Sequence, residues 1–164
     1  MADTAAVQGN PGLGTKLLYG LGSVAFGTKD AGFATFLLIF YNQVLGVPAT
    51  LVSFAIMIAL VADAVFDPLI GEISDNWRSR LGRRHPFMYG AAVPVAVLYF
   101  CLWNPPHWSN GALFAYLVVN AILVRMAIAC YEIPSAALAP ELSTDYDQRT
   151  SLMAFRWLFG ALGA

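Results

Sequence analysis

Charge is what this sequence has least of. Among 164 residues only 12% are Asp, Glu, Lys or Arg, against about 25% in a typical soluble domain. Nine bases face ten acids, for a net charge of −1, so the excess of base that a nucleic-acid binder needs is missing. No charged side chain occurs from Ala31 to Ala62 or from Pro86 to Val124. A bilayer core roughly 30 Å thick takes about 20 apolar residues in a helix. Either gap is long enough, and a water-soluble fold is excluded. Cysteine is scarce too. Cys101 and Cys130 lie in apolar segments without CxxC or His spacing and read as inert thiols. The amino-terminal MADTAAVQGNPGLG lacks the basic region, apolar core and cleavage site of a secretory signal. It reads as a short cytoplasmic tail, residues 1–15.

What is present is 59% hydrophobic residues with a mean hydropathy of +0.64. They fall into five segments: about 17–45, ending at Gly46-Val47-Pro48; about 50–75; 86–103, ending at Asn104-Pro105-Pro106; about 111–138; and one from about 150 to the last residue, 164. A β-barrel would show strands of about 10 residues with alternating polarity. These runs are continuous and longer, so an all-α polytopic membrane protein is predicted. The last segment is too short to cross, so the sequence is expected to end inside an element, as a fragment or a truncated reading frame does. Arg78, Arg80, Arg83 and Arg84 follow the second span, Arg149 follows the fourth, and Lys16 precedes the first. The connections after the first and third spans carry no base. By the positive-inside rule the amino terminus and the even-numbered connections are cytoplasmic, in a cell membrane. Trp103 and Trp108 bracket an outer connection as interface anchors. His85 and His107 then fall on opposite sides, which disfavours a membrane metalloenzyme.

Ionisable groups at membrane depth cost several kcal/mol on any scale, so each calls for a reason. Lys29 and Asp30 lie in the first span, Asp63 and Asp67 in the second, Arg125 and Glu132 in the fourth, and Arg156 in the fifth. Asp63 and Asp67 are four apart and share a helix face, about 6 Å apart along the axis. Counted from Thr50, Asp63 sits near mid-membrane. Two carboxylates there, with little water, require a cation, a proton or a neighbouring base. Pro68 cannot donate to the carbonyl of residue 64, which frees an oxygen for ion contact. Ion pairing with Lys29, Arg125 or Arg156 is the structural alternative. Asp30 and Glu132 are single acids suited to accepting hydrogen bonds from substrate hydroxyls. Structural pairing with the same bases stands beside that reading. Pro134 again opens backbone near Glu132.

The run from Asp67 to Pro86, DPLIGEISDNWRSRLGRRHP, combines Pro68, Gly71, Asp75, Arg80, Gly82, Arg83, Arg84 and Pro86. It resembles the signature between spans two and three of major facilitator transporters. Its form, D-P-x-x-G-x-x-x-D-x-x-x-x-R-x-G-R-R-x-P, is similar to that of the glycoside–pentoside–hexuronide:cation symporter family, which includes melibiose permease. The opening K-L-x-Y-G-x-G from Lys16 to Gly22, the Lys29-Asp30 pair and Glu132-Ile133-Pro134 match as well. The resemblance implies the first five of twelve spans of a sugar:cation symporter, with the second half of the same transporter completing the cavity. It implies Asp63 and Asp67 as cation-site carboxylates, and Asp30 and Glu132 as sugar acceptors with Lys29 beside the first. Arg156, after a one-residue gap, falls on an arginine lining the same cavity. Gly71, Asp75, Arg80, Gly82, Arg83 and Arg84 form the conformational motif.

Three departures carry weight. Where melibiose permease has an Asn between the carboxylates this chain has Phe66, a sodium-ligating Thr is Ala129, and a Trp after the fourth-span acid is Ala136. A sodium site wants five or six oxygens, so proton coupling is expected over Na⁺, with no further cofactor. The expected partners are a sugar or glycoside and the bilayer, and no nucleic acid. A facilitator or exporter of another solute, such as a lipid or drug, and a non-transporting membrane scaffold are the alternatives.

Overall fold

The computed structural model describes residues 12–77, 79, 84–138 and 145–164. Every regular element among the described residues is helical. Among the described residues four helices are long and apolar enough to cross a membrane: Leu13–Val44, Ala49–Asn76, His85–Trp103 and Asn110–Ala137. The first is built from α1 (Leu13–Leu21), α2 (Val24–Ala31) and α3 (Leu37–Ile39), with π-helical turns at Gly32–Phe36 and Phe40–Val44. It is followed by α4 (Ala49–Asn76), α5 (His85–Trp103), α6 (Asn110–Ala137) and α7 (Tyr146–Gly163).

Two ends differ from the expectation. The first helix starts at Leu13, so residues 13–15 of the supposed tail are helical; its residues 1–11 lie outside the described residues. The last helix starts at Tyr146 rather than near Thr150. Asp145 caps it, its side chain accepting from the Asp147 amide at 3.0 Å, which satisfies a donor that otherwise has no intrahelical partner.

The chain divides into two compact units, one holding the residues up to Gly32 with Ser135–Ala164, the other Phe33–Pro134. In the first unit α1 and α2 pack on α7 through glycines. A Cβ added to Gly27 would fall on the Gly160 carbonyl oxygen, and one added to Gly163 on that of Val24. Small residues let helix backbones approach closely, and van der Waals contact holds helices together where lipid is as apolar as a side chain. The K-L-x-Y-G-x-G motif takes part. Lys16 Nζ donates to Ser151 Oγ at 3.0 Å, Tyr19 Oη donates to the Ser135 carbonyl at 2.8 Å, and Gly20 makes room for Phe159.

In the second unit Phe33, Leu37 and Tyr41, then Val52, Ala55 and Ala59, then Leu113, Leu117, Ala121, Val124 and Ile128 form the buried core. Each set repeats at three or four residues, the spacing of one helix face. Tyr41 and Tyr116 donate to the carbonyls of Leu102 and Cys101, both at 2.8 Å, tying the first and fourth spans to α5. Gly46 has φ +72°, the left-handed conformation that glycine adopts without strain. It turns the chain so that the Val47 amide reaches the Tyr41 carbonyl at 2.9 Å before Pro48 precedes α4. Large apolar side chains also face outward, among them Val65, Val93, Phe100 and Trp157. On a helix of this length such a face meets lipid.

Candidate functional site

In the second unit one acid of α4, Asp63, faces α6, while Asp67 one turn further along is exposed. Asp63 forms an ion pair with Arg125, whose guanidinium carbon lies 4.9 Å from the centre of the Phe33 ring. Eight residues further along both helices, a Cβ on Gly71 would stand 3.7 Å from Ile133 Cγ2. The residue offset is the same in both contacts, so α4 and α6 run parallel and in step. That register puts Ala129 level with Asp67. Glu132 follows Arg125 by two helical turns, roughly 10 Å along the same face. The Asp63 and Arg125 side chains are 24% and 11% exposed. The Nε atom of Arg125 is buried and has no hydrogen-bond partner among the described residues. Among the described residues no three His, Cys, Asp or Glu side chains gather as a metal site would require.

In the first unit Lys29 Nζ and Asp30 Oδ1 stand 2.9 Å apart near the end of α2. Lys29 is buried, its ammonium 4.6 Å from the centre of the Phe26 ring, while Asp30 is exposed. Arg156 Nη1 donates to Ser135 Oγ at 3.1 Å and to Tyr19 Oη at 3.3 Å. Lys16 meets Ser151 and Thr28 meets the Gly163 carbonyl, both 135 residues apart, so Arg156 stands level with Leu21. Asp30 is then roughly 13 Å further along the helix pair. The structure holds Lys29 and Asp30 together and places Arg156 beside Tyr19 instead. Asp30 belongs to one unit and Glu132 to the other.

At the exit of α4, Arg84 Nη2 donates to Asp75 Oδ1 at 3.0 Å, and Trp77 packs edge-on against Phe87 at 5.7 Å. The ion pair and the ring contact fasten the start of α5 to the end of α4. Gly71 lies one turn before Asp75 on the flank that meets α6. Arg80, Gly82 and Arg83 of the expected conformational motif, with Arg78, lie outside the described residues.

Sequence reasoning missed three contributors: Phe33 under Arg125, and Tyr19 with Ser135 around Arg156. Tyr19 carried a signal in the opening motif. Phe33 and Ser135 carried none, because neither residue type is unusual in an apolar helix. The π-helical turn starting two residues after Asp30 was also unmarked, and such turns are frequent at functional sites.

Four apolar helices among the described residues, with charged pairs set into them, define a multi-pass membrane protein. The family described as MFS/sugar transport protein matches residues 18–164. An uncharacterized symporter of Synechocystis, sll1374, is 38% identical over 92% of this chain and 29% of its own length. The isoprimeverose transporter of Lactiplantibacillus pentosus is 28% identical over 89% of this chain and 30% of its own. The sodium-dependent lysophosphatidylcholine symporter 1 of Gallus gallus is 27% identical over 91% and 28%. The chain therefore spans about three-tenths of the length of the curated relatives it matches. It belongs to the major facilitator superfamily, among the glycoside–pentoside–hexuronide:cation symporters, and its helices are those of an amino-terminal part of that fold.

Proposed function

We propose that these residues form part of a secondary transporter that moves a sugar or glycoside together with a cation by alternating access, with H⁺ rather than Na⁺ as the coupling ion. The observation that carries the reading is the Asp63–Arg125 pair deep between α4 and α6, with Asp67 one turn further along. Charged groups are retained at such depth when ion or solute traffic needs them. Asp63 and Asp67 serve the coupling ion. Lys29 and Asp30 offer a donor and an acceptor side by side, and Glu132 offers a second acceptor for substrate hydroxyls. Arg156, held by Tyr19 and Ser135, offers a further donor to the solute, and the complementary half of the transporter supplies the remaining contacts. The protein sits in the cell membrane with its amino terminus in the cytoplasm. Coupling follows when ion and solute favour the same conformation.

The test is uptake by the full-length transporter in energised vesicles carrying Asp63→Cys or Asp67→Cys. Both variants are expected to lose accumulation against a gradient, and undiminished accumulation overturns the assignment. A second reading, a lysophospholipid substrate, is favoured by the lysophosphatidylcholine symporters among the relatives. Binding measured against a panel of glycosides and against lysophosphatidylcholine separates the two.

A further inference from the structure

We infer that Arg125 acts as a resident cation of the carboxylate pair and excludes Na⁺ from it. The inference deepens the transport reading and rests on it. The Arg125 guanidinium lies against Asp63 and over the Phe33 ring, so one carboxylate already has a positive charge at the place where a metal ion would gain most. Facing α4 from Asp63 to Gly71, the matched register of α6 presents Arg125, Ala129 and Ile133 in turn, none of which offers an oxygen from its side chain. Phe66 separates the two acids on α4 itself. Hard cations collect several oxygen ligands, and beyond Arg125 the acid on this face of α6, Glu132, comes only roughly 10 Å further along the axis.

Entry of Na⁺ would also displace the guanidinium from Asp63. A buried charge left without its partner is strongly unfavourable. Moreover, the buried Nε–H of Arg125 has no acceptor among the described residues. Its unmet need is for an oxygen, from water or from a substrate, and that also works against a second cation. Arg125 is therefore a specificity-determining residue acting through Asp63: it balances the charge of that carboxylate with no metal bound.

The test is thermal unfolding of the purified full-length protein in NaCl against choline chloride at equal ionic strength, a readout that needs no transport. The wild type and Arg125→Lys, which keeps the charge, are expected to melt at the same temperature in both salts. Arg125→Gln is expected to gain a saturable Na⁺-dependent rise of about 2–4 °C, lost again in the double variant Arg125→Gln/Asp63→Asn. A saturable Na⁺ response in the wild type that Asp63→Asn removes overturns the inference, and so does an Arg125→Gln protein as insensitive as the wild type. Should Arg125→Gln fail to fold, binding of radioactive Na⁺ to the wild type decides: saturable binding sinks the inference, and none upholds it. Absence of solute accumulation by the wild type itself would instead defeat the transport reading while leaving the Na⁺ result to stand by itself.

Discussion

A single guanidinium or carboxylate at membrane depth is tolerable only beside something that answers its charge. Asp63 has Arg125, Lys29 has Asp30, and Arg156 has two hydroxyls among its partners. The last arrangement is the most exposed to a single-atom change. Tyr19 Oη donates to the Ser135 carbonyl and accepts from Arg156, so Tyr19→Phe removes a donor and an acceptor at once. A hydrogen bond to a charged group is worth about 1.5–3 kcal/mol and a neutral one about 1 kcal/mol. The longer 3.3 Å contact belongs at the low end, and the variant is expected to lose about 2 kcal/mol in detergent unfolding. A stability within a few tenths of the wild type would mean that Arg156 finds its support elsewhere. The deep charges themselves were legible as residues, since nothing else in an apolar run is so costly. Their pairing was not: Lys29, Arg125 and Arg156 were equal candidates for Asp63. The choice depends on which helix lies opposite and in what register, and a linear pattern carries neither.

At the scale of elements, the apolar runs mapped onto helices because in lipid every backbone group must be satisfied within its own segment. Gly46-Val47-Pro48 was legible as a break because left-handed backbone and a missing amide both oppose a continuing helix. The two π-helical turns had no such signature, since a one-residue change in hydrogen-bond phase over five residues leaves hydropathy unaltered. The glycines of α1, α2 and α7 were visible, but their role emerges only when the helices meet. Gly27 faces the backbone of α7 with no space for a Cβ, whereas Gly90, inside α5, has no neighbour within 4 Å of the same added atom. Gly27→Val is expected to destabilise by about 3 kcal/mol or to prevent α2 from docking, because overpacking against backbone cannot be relieved by a rotamer change. Gly90→Ala is expected to raise stability by about 0.5–1 kcal/mol through helix propensity alone. Melting temperatures of the two proteins, measured side by side, check both; a Gly27→Val protein as stable as the wild type would refute the close approach of α2 and α7.

At the scale of the molecule, which face of the membrane each connection occupies follows from arginine placement more than from helix packing. The α4–α5 connection holds Arg78, Arg80, Arg83 and Arg84, and the α5–α6 connection holds no Lys or Arg at all. Bases within a short loop resist translocation, while a loop without them crosses readily. His107 in the second of these loops and Ser79 in the first are both exposed, so a cysteine at either position can be reached by a thiol reagent from its own side. With Cys101 and Cys130 replaced by Ser, His107→Cys is expected to react with a membrane-impermeant maleimide in intact cells. Ser79→Cys is expected to react only after the membrane is opened. The helix count alone cannot decide this, because four crossings are equally compatible with either orientation; the asymmetry of bases makes the difference. Labelling in the reverse order would place the amino terminus outside, and the Asp75–Arg84 clasp with it.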